Sequence, residues 1–354
     1  MSTYFYANVC LSRKDESTMS LKKIATMVGT SVSTVSRVLN NTSSTCASKE
    51  LQEKIWTAAR EIGYQPNEAA RSLRQTKQNR TKVPLISIVL ARINSLEREP
   101  FFSELFRNLE VELLKQKVTI DQIVYAEEFL THDLSHSDGV IILGRCSHKL
   151  LEHITAQNRN VIGIWRNPMN FDVDEVVCDG KKAAELAMQH LLSLGHQQIA
   201  YIGDCSFESR YVGYCDMLIR NNIPIDYKLI KQTNQTKEEA ETAFFELLED
   251  KLQGITDFSA IFCANDSSAI KILELLQKKK SLLRKHPISI ISIDDIEEAQ
   301  NTTPYLTTIH IPRYEMAHMA VYLLLDRITK GHEEVVRIEF PCRIMVRSSV
   351  TAHP

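Results

Sequence analysis

Five polar residues stand where apolar runs stop. Arg210 opens the helical pattern that follows the run Ile199 to Gly203, Asn265 and Asp266 follow Ala260 to Ala264, and Asp294 and Asp295 follow Ile288 to Ile293. Carboxylates, an amide and a guanidinium gathered in one cleft make charge-assisted hydrogen bonds to hydroxyl groups, which suits them to a polyhydroxylated molecule. Each also has an ordinary reading, because Asn265 and Asp266 could cap the helix at Ser267 and Asp295 the next turn. A second set is of a different kind. Between Gly29 and Asn40, the residues Val32, Ser33, Ser36 and Arg37 share one face of a helical pattern, while Val35, Val38 and Leu39 share the other. Small side chains with one arginine let a helix backbone approach the base edges of a DNA major groove.

The elements that must position the second set are short. Leu21, Ile24, Ala25 and Val28 form one apolar stripe of a two-turn helix that stops at Gly29. Thr30 or Ser31 then offers a hydroxyl to cap the next helix. Two short helices meeting at a glycine turn make a helix-turn-helix. A third helix starts near Ser48, carries Leu51, Ile55, Ala58, Ala59 and Ile62 on one side, and ends at Gly63. After Tyr64-Gln-Pro, Asn67 caps a short segment, Glu68 to Gln75, that holds Ala69, Ala70, Leu73 and two arginines. At about two turns this segment is too short to be helical unless something holds it. The stretch from Met19 to Lys82 has 11 Lys or Arg against 4 Asp or Glu, a surplus of +7 in a chain whose net charge is -2. Such a local surplus favours a polyanionic partner.

The elements behind the first set are long and alternating. Beyond a polar linker that ends at Lys82, apolar runs at Leu85 to Ala91, Gly139 to Leu143, Val161 to Ile164, Ile199 to Gly203, Ala260 to Ala264 and Ile288 to Ile293 take turns with helical patterns. These helical patterns run Phe102 to Gln116, Lys149 to Gln157, Lys181 to Leu194, Arg210 to Asn221, Lys237 to Leu252 and Ser267 to Lys278. Alternation of this sort predicts an α/β fold of parallel sheets covered by helices, here two Rossmann-like lobes. Ligands of such sheets bind beyond the carboxyl ends of the strands.

Several classes are disfavoured. The sequence has no G-x-x-x-x-G-K-[ST], G-x-G-x-x-G after a strand, H-E-x-x-H or G-x-S-x-G, so no catalytic residue is assigned and no enzyme is expected. Its eight cysteines are scattered, with no C-x-x-C and no spacing that suits zinc, so no metal or cofactor is expected. The first eighteen residues show no secretory pattern and no 18-residue apolar run occurs, which predicts a cytoplasmic protein without a membrane partner.

The blocks Leu21-Lys-Lys-Ile-Ala, Gly29-Thr-Ser-Val-Ser-Thr-Val-Ser-Arg-Val-Leu-Asn40, Gly63-Tyr-Gln-Pro-Asn67 and Ala69-Ala-Arg-Ser-Leu73 resemble the DNA-binding head of the lactose/galactose repressor (LacI/GalR) family of bacterial transcription regulators. Further along, Pro100-Phe-Phe-Ser-Glu104, Leu194-Gly-His-Gln-Gln-Ile-Ala200, Arg210-Tyr-Val-Gly213, Ala264-Asn-Asp266 and Ile293-Asp-Asp295 are similar to that family's periplasmic-binding-protein-like core. The resemblance implies a repressor of a carbohydrate-utilisation operon, released from double-stranded operator DNA by a small sugar. The same resemblance implies DNA contacts from Ser31, Val32, Ser33, Ser36, Arg37, Asn40, Asn67, Ala70 and Leu73, with Leu73 wedged into the minor groove. It implies effector contacts from Phe101, Phe102, Arg210, Asn265 and Asp294. A homodimer follows by the same resemblance, since the tail lacks the leucine heptads of a tetramer. Purines as effectors, and a ligand that tightens rather than loosens DNA binding, stay open alternatives. The expected domains are an extension over 1–18, the head over 19–66, a hinge helix and linker over 67–82, and the core over 83–354. Within the core, lobe 1 is expected at about 83–192 and 312–337, lobe 2 at about 193–311 and 338–354.

Overall fold

The computed structural model describes residues 21–39, 47–62, 64, 83–91, 93, 95–96, 99–128, 131–206, 208–278 and 288–353. The chain divides into two compact units, Met1–Lys82 and Val83–Pro354. In the first, a helix over residues 21–28 turns at Gly29, whose φ of 72° lies in the left-handed region that glycine adopts without a Cβ penalty. The helices Val32–Leu39 and Lys49–Glu61 follow. Ser31 caps the former, its Oγ accepting from the Thr34 N–H at 3.1 Å, and Ser48 caps the latter. Ile24, Ala25, Val35, Val38, Leu39, Ile55, Ala58 and Ala59 close on one another as a small apolar core. With about 1.5–3 kcal/mol available per fully buried Ile, Leu or Val side chain, three short helices that would not persist alone hold together here. The expected extension and hinge segment, and with them Asn40, Asn67, Ala70 and Leu73, lie outside the described residues.

The second unit holds two six-stranded sheets. The first has the order β11-β5-β4-β3-β1-β2, from β1 (Leu85–Leu90), β2 (Thr119–Tyr125), β3 (Gly139–Leu143), β4 (Val161–Trp165), β5 (Asp174–Cys178) and β11 (Arg337–Phe340). The second has the order β12-β10-β9-β8-β6-β7, from β6 (Ile199–Gly203), β7 (Ile230–Gln232), β8 (Ala260–Cys263), β9 (Ser289–Asp294), β10 (Thr307–His310) and β12 (Arg343–Met345). Every pairing is parallel except β10 with β12. β3, β4, β5, β6, β8 and β9 are buried along their whole length, as strands covered by helices on both faces must be.

Two expected boundaries are corrected. The helix Gly180–Ser193 packs on the helix Ser209–Arg220 and on β8, β9, β10 and β12, so it belongs to lobe 2 and the first crossover lies at Asp179 rather than near residue 192. The contact is close because Gly213 has no side chain, and a Cβ there would meet the Lys181 carbonyl O at 2.7 Å. β11 pairs with β5, so the last crossover is Pro341–Cys342 rather than residue 337. Between them, the chain returns from β10 through Ile311 and Pro312 to the helix Arg313–Ile328, which packs on the helix Pro100–Lys115 and on β3, β4 and β5 in lobe 1.

Six strands are missing from the sequence reading, and β5 shows why. It begins Asp174-Glu175, two carboxylates that read as loop, yet both are fully buried. Asp174 accepts both Nε and Nη2 of Arg327 at 2.6 Å, and Glu175 accepts Nε of Arg337 at 2.8 Å. Partners more than 150 residues away make these strand positions tenable.

Candidate functional site

The carboxyl ends of the two sheets face one another across the crossovers. From lobe 1 come Arg166 and Asn167, directly after β4, and Phe101 and Phe102 at the start of the helix Pro100–Lys115. From lobe 2 come Glu208 and Arg210 at the start of the helix Ser209–Arg220, Asn265 after β8, and Asp294 at the end of β9.

A salt bridge spans the gap, with Arg166 Nη2 at 3.2 Å from Asp294 Oδ2. The Arg166 guanidinium also lies over the ring of Phe101 at 4.0 Å and that of Phe102 at 5.3 Å, and the two rings meet edge to face at 5.1 Å. Stacking of a guanidinium on an aromatic face orients it without using its donors. Arg166 Nε and Asp294 Oδ1 are both buried without a hydrogen-bond partner. A buried polar group left unpaired costs about 1–3 kcal/mol, so the pair is poised for a molecule that supplies one acceptor and one donor. Burial pushes the Asp294 carboxyl above its ordinary pKa, although Arg166, Arg210 and Arg313 oppose that shift. Asp294 has φ 130° and Asp295 φ 54°, two consecutive non-glycine residues at positive φ. Strain of this kind persists where surrounding contacts over-determine it. The contacts are those of Arg313, which donates to both backbone carbonyls, 2.8 Å in the case of Asp295, and pairs with Glu104 at 2.8 Å.

Beside this lies a second ion pair. Arg210 Nε is 2.9 Å from Glu208 Oε1, Arg210 Nη1 donates to the Ala264 carbonyl, and Asn167 Nδ2 reaches across from lobe 1 to Glu208 Oε1 at 3.2 Å. Burial works against the ionised Glu208, but the adjacent Arg210 pulls its pKa down to about 2. Asp266 is buried behind the site. It accepts from Ser292 and Thr308 hydroxyls and from the Ile296 N–H, while burial and the nearby Asp294 charge raise its pKa to about 7.

The structure therefore brings Phe101, Phe102 and Asp294 together through Arg166 and sets Arg210 next to them. Asn265 has a cap's role, accepting from the Ser268 N–H and donating to the Gln235 carbonyl, each at 3.1 Å. Arg166, Glu208 and Arg313 were missed. Arg166 is the residue immediately beyond β4, the same kind of position as Asp294 at the end of β9, but the apolar run Val161 to Ile164 stops one residue short of the strand's end at Trp165. A cavity of about 850 Å³ lined by Tyr214, Leu218, Leu248, Leu252 and Thr256 includes none of the cleft residues named above.

In the head, Ser33 and Arg37 are exposed and Ser36 is half-buried on the helix Val32–Leu39. Ser31 is exposed with its hydroxyl bonded to Ser33, Thr34 and the Thr34 N–H, so its first role is the cap. Val32, expected on the outward face, is half-buried and packs against the head core.

Residues 20–67 match the family described as bacterial regulatory proteins, lacI family, and residues 188–350 match a periplasmic binding protein-like domain. The HTH-type transcriptional repressor MelR of Bacillus subtilis is 29% identical over 339 residues, covering 93% of this chain and 96% of MelR. The HTH-type transcriptional repressor PurR of Vibrio atlanticus is 29% identical over 347 residues, covering 93% and 98%. Among solved structures, a LacI family transcriptional regulator from Enterococcus faecium with bound ribose superposes with a TM-score of 0.66 at 27% identity, covering 76% of this chain and all of that one.

Proposed function

Because the chain belongs to the LacI family of bacterial transcription regulators, we propose that its cleft takes a small sugar and that occupancy of the cleft releases the head from operator DNA. The observation that carries this reading is the Arg166–Asp294 bridge between lobes, with one unpaired atom on each partner beside a pair of aromatic rings. A vicinal diol answers both needs, since one hydroxyl donates to Asp294 Oδ1 while another accepts from Arg166, and a sugar ring face packs on phenylalanine. The protein with bound ribose lends support. Binding that replaces an interlobe bridge changes the free energy of one lobe arrangement relative to another, which is what linkage to a distant head requires. A purine or nucleoside is the second reading, favoured by the phenylalanine pair and by the resemblance to PurR.

On the DNA side, Ser33, Ser36 and Arg37 read base edges, with Val32 and Ser31 at the helix start. Asn40, Asn67, Ala70 and Leu73 add backbone and minor-groove contacts, as the family resemblance implies. Two heads in a homodimer meet an inverted repeat with half-site centres about one helical turn apart. A regulator of this kind works in the cytoplasm, where the DNA is, and catalyses no reaction.

The test is a thermal-shift screen of monosaccharides, disaccharides and nucleosides on the full-length protein, followed by operator titration with each hit. A ligand at one hundred times its Kd adds about 2.7 kcal/mol of stability by mass action. Asp294→Ala is expected to abolish the shift and leave operator binding in place. A hit that stabilises this variant as much as the parent rejects the cleft assignment, and a hit that leaves operator affinity unchanged rejects the coupling.

A further inference from the structure

Lobe 2 has a second concavity, at the end of its sheet remote from the cleft. Ile199, the first residue of β6, lines the cavity of about 850 Å³, whereas the cleft residues stand at or beyond the last residues of β6, β8 and β9. The helices Ser209–Arg220 and Lys237–Leu252 both end at this cavity, with Leu218, Leu248 and Leu252 in its wall. Its volume lies within the range of small-molecule sites. Leu252 is 67% and Ile255 49% exposed, so apolar surface is left facing water there. A polar group in the wall also goes without a partner. Thr256 is only 8% exposed, and its hydroxyl is buried with no hydrogen bond among the described residues, although its N–H donates to the Asp250 carbonyl at 3.3 Å. A buried hydroxyl in that condition destabilises the fold unless a bound molecule answers it. The lining charges are unbalanced, with Asp226 and Asp257 set against Lys251. Lys251 is committed, donating to Asp257 and, at 2.9 Å, to the Phe258 carbonyl. Asp226 is exposed and accepts the Lys228 N–H at 3.0 Å through Oδ1. Two helix C-termini add partial negative charge, and Arg220, in the last turn of one of them, is drawn to Glu185 at 3.1 Å.

We propose that this cavity is a second ligand site, which takes a small amphipathic amine. Asp226 receives the ammonium, Leu218, Leu248 and Leu252 cover the apolar body, and Thr256 offers a further acceptor. The class of ligand follows from the donors and acceptors present. An ammonium has three donors and no acceptor, which suits a place rich in carboxylate, hydroxyl and helix-terminal carbonyl oxygens. A carboxylate or phosphate ligand would meet two carboxylates and two helix C-termini of its own sign. A polyol answers Thr256 but leaves the leucines and Ile255 uncovered, and the hydrophobic gain is then forgone. None of the lining residues belongs to the cleft, so the site stands whatever the cleft binds.

The experiment titrates the full-length protein at pH 7 and fixed ionic strength with hexylamine. Hexanol and hexanoate serve as neutral and anionic controls of equal chain length. Saturation-transfer NMR measures the affinity of each, and amide hydrogen exchange locates it. Hexylamine is expected to slow exchange in segments 217–229 and 248–257, and to bind about tenfold more tightly than either control. Asp226→Asn is expected to weaken hexylamine about tenfold and Thr256→Val about threefold. Glu110→Gln, which removes an exposed carboxylate of lobe 1, leaves the affinity unchanged. Thr256→Val replaces an unpaired hydroxyl by a methyl group, so this variant is expected to melt no lower than the parent. Hexanol binding as tightly as hexylamine overturns the proposal, because the cavity is then an apolar hollow only, and tighter binding of hexanoate overturns its charge. Protection confined to other segments, no protection in the millimolar range, or parental affinity in both Asp226→Asn and Thr256→Val rejects the site.

Discussion

Asp294 concentrates the costs that a binding residue carries. Its carboxylate is buried, one oxygen is unpaired, and its φ of 130° is unfavourable for any residue but glycine. Burial raises its folded pKa above the unfolded value, so ionising it costs stability once the pH exceeds the ordinary Asp pKa of about 3.9. Asp294→Asn keeps the shape and removes that charge. Its melting temperature at pH 7 is expected to equal or exceed the parent's, with the gap narrowing as the pH falls toward 4, while the ligand-induced shift disappears. A variant that melts well below the parent at pH 7 and closes the gap in acid would show that the three arginines outweigh burial. Residues that gain stability on losing their function are a common mark of a site held in strain.

At the scale of elements, the loop after the helix Arg313–Ile328 is pinned to β5 by His332. Its Nδ1 contacts Asp326 at 2.6 Å and its Nε2 contacts Asp174 at 2.8 Å. The hydrogen bond to Asp326, with further help from Asp174, raises the His332 pKa above 6.5. A folded value above the unfolded one means that the stabilisation is complete below about pH 6.5 and is lost as the pH rises through the folded value. His332→Gln is therefore expected to lower the melting temperature at pH 6 and to approach the parent by pH 8.5. A deficit that is the same at both pH values would show that shape, and not charge, sets the contribution. The same cluster accounts for β5, since a strand that opens on two buried carboxylates exists only because Arg327, His332 and Arg337 meet it there.

At the scale of the molecule, the lobes are tied by few side chains, and Arg313 is the most heavily engaged of those described. It sits at the second crossover, is 8% exposed, pairs with Glu104 and donates to the carbonyls of Asp294 and Asp295. Removing one partner of a buried ion pair costs about 3–5 kcal/mol because the other charge is left behind. Glu104 is partly exposed, with its side chain 24% accessible, so Arg313→Met is expected to cost less, about 2–3 kcal/mol in denaturant unfolding. Faster hydrogen exchange at 310–313 should accompany the loss. A neutral variant would mean that the interlobe angle is set by the cores of the crossovers alone.

Much of this was written locally. Gly29, the Ser31 cap and the 3.6-residue spacing of Val35, Val38 and Leu39 determine the head without reference to distant residues, because each is a short-range steric or hydrogen-bonding requirement. Continuous apolar runs likewise marked β1, β3, β4, β6, β8 and β9, and the polar residues at their ends led to Arg210 and Asp294. The tertiary structure decided what such patterns do not encode. Whether the helix Gly180–Ser193 covers one sheet or the other depends on which strands meet it in space, and its amphipathic stripe is the same in either case. Arg166 finds Asp294 at a separation of 128 residues, and Arg327 finds Asp174 at 153. A charge becomes a strand residue, a bridge or a ligand-seeking group only when folding places its partner, since the energy of a buried ion depends on distances that sequence neighbours do not set.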